Sequence, residues 1–350
     1  MNRNVSAQIS YDRLNKGVDV RNASTSNFLV SSSDREPYIG VYSTGAFIGA
    51  LAVSNPCNFT INKVNSLFNG FFTRAAVSEV NLWWNKFNIS PIAGAGPYNG
   101  NQAGTYFGTN TFTVTVLGVT KNFTMPPGFY NVAQCLDAML LLLNQAAPAG
   151  FGAGSFTLVD SATVPGAAFP TNLVQNVRAL VNAAGNDFYF TCQTLTIGGN
   201  TIPIRGLADM LSFPTFPVAP PATSTYPFYY VASPNLQAYP YIDFTSQQIT
   251  AVQDLKDTST AQNNPDTLHR WVMADDVNAP IYDTYGYPIL MGYKPFKIRR
   301  SIAFPKQIRL DPLLPIGQVN FTLVDNNGNQ ITLSQAEQLE YNMLMLISEV

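Results

Sequence analysis

Charge is what this chain has least of. Asp, Glu, Lys and Arg make up 11% of its 350 residues, against about 25% in an average soluble protein. Asn, Gln, Thr, Ser, Pro and Gly stand in for the missing charge. Charged groups are the costliest to desolvate at an interface, so such a surface predicts a protein that buries much of its outside against partners. The formal net charge of −2 excludes a globally basic nucleic-acid binder, and no specific nucleic-acid site is expected. Disorder needs low hydrophobicity with high charge, and a 46% hydrophobic chain is the opposite.

Histidine and cysteine are almost as scarce. One histidine, His269, and three scattered cysteines, Cys57, Cys135 and Cys192, offer no zinc-ligand spacing. An odd number of distant cysteines predicts reduced thiols and a reducing compartment rather than a disulfide framework. The longest apolar run, near 136–143, is far short of the roughly 20 residues of a membrane-spanning helix. The opening Met-Asn-Arg-Asn has no signal-peptide character, so a soluble protein made in the cytosol is expected. Asn22, Asn58, Asn88, Asn122 and Asn320 begin Asn-x-Ser/Thr triplets. A chain this rich in Asn and Thr produces them by chance, and glycosylation is not expected.

What is present is β pattern. Residues 1–36 are polar with interleaved charges and read as an arm, either a disordered tail or a segment that orders on a partner. Residues 58–64 and 71–84 are rich in β-branched and aromatic side chains, and 111–116 alternates Thr with Phe112, Val114 and Val116, the period of a half-buried strand. Residues 91–108, loaded with Gly, Asn and Pro, read as a long loop. One helix is clear. Asn131 is a good N-cap with Gln134 three residues on, and Val132, Leu136, Met139, Leu140 and Leu143 recur at helical spacing up to Gln145. Residues 146–235 form a Pro-, Gly- and Ala-rich region with short strands at 155–159, 187–195 and 201–204, a helical turn at 205–211 and a Pro-rich loop at 214–227. Strands return at 241–245, at 295–310 broken at Pro305, at 319–324 and at 340–348, with a turn at 325–328. Eight or more strands, one helix and long loops predict an all-β fold: an antiparallel jelly-roll sandwich with one short helix and a loop-rich β insertion.

Several of these stretches resemble the vertex (penton) and minor capsid jelly-roll proteins of virophages, polinton-like viruses and related large DNA viruses. The segment Val77-Ser-Glu-Val-Asn-Leu-Trp-Trp-Asn-Lys-Phe-Asn-Ile89 resembles an early strand of that family. Phe112-Thr-Val-Thr-Val followed by Met125-Pro-Pro-Gly-Phe-Tyr-Asn-Val resembles its strand–turn–helix. Arg205-Gly-Leu-Ala-Asp-Met-Leu-Ser-Phe213 is similar to a motif that usually reads Leu-Gly-Phe, with Ser212 in place of the Gly. Tyr241-Ile-Asp-Phe-Thr-Ser246, Phe304-Pro-Lys306, Leu323-Val-Asp-Asn-Asn-Gly328 and Leu344-Met-Leu-Ile-Ser-Glu349 recur in that order in the family. The resemblance implies a jelly roll and a homopentamer at the five-fold vertex of an icosahedral double-stranded DNA virus. It also implies a place in the virion capsid after synthesis in the host cytoplasm, without secretion. The partners implied are copies of itself, the major capsid protein, minor capsid or cement proteins, and a spike or host receptor. Three rivals stay open: a trimeric double jelly-roll major capsid protein, a carbohydrate-binding or host-attachment module, and a glycan-cleaving enzyme working through a carboxylate pair.

The domain division expected is an arm at 1–36, a jelly roll built from 37–145 and 236–350, and an insertion at 146–235 that projects outward. No enzymatic activity, cofactor or metal is expected. A Ser-His-Asp mechanism would have to use His269, which reads instead as a polar loop or interface residue. Residues 94–108 lack the ending of a P-loop. Asp254 with Asp257, or Asp275 with Asp276, could serve as a carboxylate pair, but solvated acidic loops are commoner, and no EF-hand spacing is present. One charge feature stands out. Lys294, Lys297, Arg299, Arg300, Lys306 and Arg309 fall in a window without acids from 284 to 310. They read either as a Lys/Arg-protected edge strand or as an assembly or inner-shell contact, with Arg299 and Arg300 on opposite faces. Trp83, Trp84 and Trp271 read as core or interface anchors. Tyr226, Phe228, Tyr229, Tyr230 and Tyr239 flank Pro-rich turns and read either as an outer binding face or as caps on the sandwich end.

Overall fold

The computed structural model describes residues 25–34, 40–43, 46–50, 55–62, 72–91, 94–95, 106–107, 109–145, 150–164, 177–197, 200–204, 206–221, 225–251, 266–273, 281–311, 316–326, 330–333 and 337–349. In chain order these form β1 (Thr25–Ser31), the hairpin β2 (Gly40–Ser43) and β3 (Ala46–Ala50), β4 (Asn58–Asn62) and the long β5 (Arg74–Asn85). Then come the short pair β6 (Gly94–Ala95) and β7 (Tyr106–Phe107), β8 (Thr111–Val116), β9 (Val119–Thr124) and the helix α1 (Val132–Gln145). They are followed by β10 (Phe156–Asp160), β11 (Arg178–Asn182), β12 (Phe188–Thr191), β13 (Gln193–Ile197), β14 (Asn200–Ile204), β15 (Thr215–Phe216) and β16 (Phe228–Tyr230). Last are β17 (Tyr241–Thr245), β18 (Thr267–Val272), β19 (Phe296–Ser301), β20 (Gln307–Arg309), β21 (Gln318–Val324) and β22 (Gln338–Ser348).

Two of the sheets make a sandwich. One has the order β1-β22-β5-β19, with β20 also on β5, and the other the order β18-β17-β21-β4. Count β19 and β20 as one strand broken at Pro305, and eight strands remain. Antiparallel pairs then join the first to the eighth, the second to the seventh, the third to the sixth and the fourth to the fifth. This is a long hairpin wound across two sheets, which is the jelly roll. Period-two burial fills the space between them. Leu339, Tyr341, Met343, Met345 and Ile347 of β22 and Val80, Leu82 and Trp84 of β5 face Ile242, Phe244, Trp271, Phe321 and Leu323. Each such side chain contributes about 1.5–3 kcal/mol.

Residues 25–31 of the expected arm are strand. β1 pairs along its whole length with β22, from Thr25 opposite Ser348 to Ser31 opposite Asn342. Only Phe28 and Val30 of β1 turn inward, with Val30 the one fully buried, so its short apolar stretch Phe28-Leu29-Val30 is too little to mark a seven-residue strand in a polar segment. Ser32–Asp34 form a short 3-10 turn after β1, and the rest of the arm, 1–24 and 35–36, lies outside the described residues.

A second core lies in sequence between β5 and β17. It gathers Ile89, Phe112, Val114, Leu136, Met139, Phe156, Leu180, Phe188, Phe190, Tyr229 and Leu236. Its sheets run β15-β12-β8-β9 and β10-β11-β16, with β12 and β15 parallel. The boundary expected after residue 145 therefore falls elsewhere. β8, β9 and α1 share this core with the insertion, not the jelly-roll core. Their patterns show that each has an apolar face, but not which layer covers it. β9 was not expected. Only Phe123 of its six residues is buried, and its turn is Leu117-Gly118 rather than an Asn-Gly turn.

The helix begins as its sequence predicts. Gln134 N donates to Asn131 Oδ1 at 2.8 Å, and Asn131 N donates to Gln134 Oε1 at 3.0 Å. A distant residue completes the cap, with Ala133 N donating to Asp283 Oδ2 at 2.8 Å. Asp283 sits on the connection from β18 to β19. On the same connection Tyr287 Oη donates to Val231 O at 2.9 Å, and Tyr293 Oη accepts Leu236 N at 2.8 Å. This jelly-roll loop is thus stitched to the inserted unit.

The chain leaves the jelly roll beside a buried ion pair. Lys86 Nζ lies 3.3 Å from Glu337 Oε2, both side chains fully buried. It also donates to Thr332 O at 2.7 Å, while Phe87 N donates to Glu337 Oε1 at 3.0 Å. Burial pulls the Lys86 pKa below its ordinary value, against the pull of Glu337. Tyr239, where the chain returns, packs its ring edge-on against Trp84 at 5.4 Å and lies 5.5 Å beneath the Lys86 ammonium.

Two expectations follow. Asn131→Ala should lower stability by about 1 kcal/mol in a urea melt. Glu337→Ala should destabilise by about 3–5 kcal/mol because it strands the Lys86 charge, and the double variant Lys86→Met/Glu337→Leu should recover most of that loss.

Candidate functional site

The six cations of the acid-free window all lie on or beside β19 and β20, at the edge of the first sheet. In β19, Phe296, Ile298 and Arg300 alternate with the exposed Lys297, Arg299 and Ser301. Arg299 is on the outer face, where its Nη2 donates to Glu79 Oε2 at 2.7 Å. Lys294, Lys297, Lys306 and Arg309 are exposed as well. Arg300 turns the other way. Its guanidinium stacks 4.4 Å from the Trp271 ring centroid, and Nη1 donates to Val272 O at 2.9 Å. Lys306 Nζ donates to Thr267 O at 2.8 Å. Both acceptors are carbonyls of β18, the edge strand of the opposite sheet. Arg300 and Lys306 therefore fasten the two sheets together along one flank. Within the subunit both side chains hold carbonyls of β18, so changing both to Glu should loosen the fold itself.

His269 sits under this latch. Its ring lies 6.3 Å from that of Phe244. Burial pulls its pKa down to about 4; Asp243 opposes the shift and Arg300 adds to it. Asp243 does not serve it as a partner. Both Asp243 oxygens accept from Arg270, Nε to Oδ1 and Nη2 to Oδ2, each at 2.8 Å, and Arg270 in turn stacks 4.0 Å from the Tyr241 ring. With Arg300 near and Asp243 held by Arg270, no carboxylate among the described residues hydrogen-bonds His269 to orient it as a base. The carboxylate pairs 254/257 and 275/276 lie outside the described residues. Among the described residues no group of three or more His, Cys, Asp or Glu side chains is placed to hold a metal.

The aromatic set divides. Tyr229 and Tyr239 are buried. Tyr229 Oη donates to Phe188 O at 2.7 Å inside the second core, and Tyr239 belongs to the jelly-roll core. Those two are not part of an outer face, because their apolar surroundings are both sides of a packed layer. Tyr226, Phe228 and Tyr230 remain together, with ring centroids 6.5 Å and 5.4 Å apart at every second residue. Trp84 and Trp271 are core residues, whereas Trp83 is 41% exposed.

Trp83 marks the outer face of the first sheet, where it lies opposite Lys297 on one side and Glu340 on the other. Leu29, 60% exposed, lies opposite Leu344 on the same face. At the edge of that sheet the break between β19 and β20 carries Phe304, which is 96% exposed. Composition had no means of marking Phe304 or Leu29. The one sequence signal for Phe304 was its place against Pro305 at a strand break.

No protein family's sequence profile matches the chain, and no curated protein matches it. Among solved structures, the crystal structure of the selenomethionine-labelled mavirus penton protein is similar, with 10% sequence identity and a TM-score of 0.42 over 94% of this chain and 100% of that one. At that identity and score the similarity carries no inference about function.

The His269 geometry sets a pH dependence. The unfolded chain protonates His269 near its ordinary 6.5 and the folded chain only near 4. Protons therefore favour the unfolded state between these values, so the His269 contribution is complete above pH 6.5 and is lost as pH falls toward 4. His269→Asn should lose about 1–2 kcal/mol less stability than the parent between pH 7 and pH 4.5, after allowance for partial exposure. Parallel denaturant titrations would read this.

Proposed function

We propose that this chain is a structural capsid protein, the vertex subunit of an icosahedral double-stranded DNA virus, and that it forms homopentamers. The observation that carries the reading is the jelly roll with large apolar side chains standing off its first sheet. Phe304 at the sheet edge is 96% exposed, with Trp83 and Leu29 on the adjoining face. Leaving a Phe side chain in water forgoes about 1.5–3 kcal/mol of burial, and aromatic anchors are the residues that carry binding energy at protein interfaces. The sequence stretches that resemble penton and minor capsid proteins include Phe304-Pro-Lys306 itself. The low charge agrees with this reading, because neutral polar side chains are cheaper to desolvate where subunits meet.

On this reading the function is assembly. Heterologous contacts between copies close into a ring, and each weak contact is reinforced by its neighbours. The exposed Lys297 and Lys294 then form a rim toward acidic neighbours. The inserted unit between β5 and β17 projects outward, and Tyr226, Phe228 and Tyr230 present a stripe to a spike or receptor. The further partners are the major capsid protein and minor or cement proteins, and the chain resides in the virion.

Negative-stain imaging and mass photometry of the recombinant protein test this, with five-membered rings the expected result. Phe304→Ser should abolish the rings while leaving the melting temperature within a degree or so, since an exposed side chain contributes little to folding. A purely monomeric parent, or rings unchanged by Phe304→Ser and Trp83→Ser together, would overturn the reading.

A further inference from the structure

The inserted unit has an open trough of about 490 Å³ at one end of its four-stranded sheet. Thr115, Leu117, Asn186, Asp187, Tyr189 and Thr225 line it. The trough forms where three chain segments meet. The β8–β9 hairpin contributes its turn, the connection from β11 to β12 contributes Asn186 and Asp187, and the approach to β16 contributes Thr225. Tyr189 stands opposite Thr115 in the β8–β12 register, on the sheet face that forms the floor. Thr225 Oγ1 donates to Asp187 Oδ2 at 3.3 Å. The volume is in the range of small-ligand sites.

One backbone feature singles this place out. The hairpin turns on Leu117 and Gly118, both at positive φ, 51° and 76°. A two-residue turn of that kind favours Asn-Gly, because a bulky side chain at positive φ is strained. Here the strained position holds a leucine, and its side chain is 60% exposed. The leucine thus adds nothing to the core and works against the turn. Strain retained without a folding benefit is what a contact residue on the lip of a binding site shows.

We propose that this trough binds a neutral glycan. An aromatic ring and an isobutyl side chain offer apolar surface to the C–H face of a sugar ring. Beside them the Asp187 carboxylate, the Asn186 amide and the Thr225 hydroxyl offer the mixed donors and acceptors that sugar hydroxyls need, while the buried Thr115 hydroxyl is paired with that of Thr120. Among the described residues the lining includes Asp187 and no Lys, Arg or His, so sialylated and sulfated glycans are disfavoured by like-charge repulsion. All of these residues belong to the inserted unit, and the proposal stands whether or not the chain forms rings.

Ligand-observed NMR on the full chain tests it with chitotriose, mannotriose and lactose as neutral probes and sialyllactose and heparin as charged ones. At least one neutral probe should bind, and the charged ones should not. Asp187→Ala should weaken that binding by about tenfold or more. Leu117→Asn should raise the melting temperature by relieving the turn and also weaken binding, a combination that loss of folding cannot produce. Absence of binding by every neutral probe, binding of the charged probes alone, or unchanged binding in both variants would overturn the proposal.

Discussion

Everything in this chain hangs on how its jelly roll tolerates an interruption. Between the third and fourth of its eight strands the chain departs to build a second core and then returns. The departure and the return must lie close enough for β5 and β17 to stay in facing sheets. Lys86 and Glu337 secure one end of that gap with a fully buried ion pair, and Tyr239 covers it from the other. A buried pair of this kind adds little net stability over a well-packed apolar pair. It does demand one arrangement, because a misplaced strand would leave a charge in the core. The connection carrying Asp283, Tyr287 and Tyr293 adds a second tie. It caps the helix of the inserted unit from a loop of the jelly roll.

The low charge of the chain has a visible structural counterpart. Outer faces of the sheets are satisfied by neutral ladders. Thr113 pairs with Asn122 and Thr115 with Thr120 across β8 and β9, at 2.7 Å and 2.9 Å. On the second sheet of the jelly roll Asn320 Nδ2 donates to Asn58 Oδ1 at 3.0 Å. Asn58, Asn122 and Asn320 each begin a glycosylation triplet, and each has its amide engaged in these pairs. The charges that do occur are put to structural use. Arg270 with Asp243 lies along the outer face of the second sheet. Arg300 and Lys306 cross to the carbonyls of β18, whose free edge would otherwise present unpaired acceptors to another chain. The outer face and edge around Trp83 and Phe304 keep large apolar side chains open to solvent.

Much of this was legible in the chain. Alternation announced β8, β17, β21 and β22. The Asn131–Gln134 pair announced the helix start. Pro305 announced the break between β19 and β20. Other elements were silent for identifiable reasons. β1 and β9 each bury a single residue fully, so neither carries a sustained apolar alternation along its length. Asp283 caps a helix that begins 150 residues earlier, and no local pattern points to it. The six cations formed one cluster on paper. The strand's alternation predicted that Arg299 and Arg300 part company, but what Arg300 and Lys306 reach depends on the opposite sheet. The tyrosine cluster likewise split, because a buried ring and an exposed one share the same sequence surroundings.

Local chemistry, then, determined the kind of elements this chain forms: strand period, cap, turn and break are set by residues a few positions apart. Composition determined that its surface would be neutral. The tertiary structure alone decided that the helix and the β8–β9 hairpin belong with the insertion, that β1 joins the sheet, and that two of six cations serve as latches. Those outcomes rest on which face finds which partner across a layer, and such pairings join residues from 28 positions apart, as in Arg300 with Val272, to more than 300, as in β1 with β22, so no local pattern connects them.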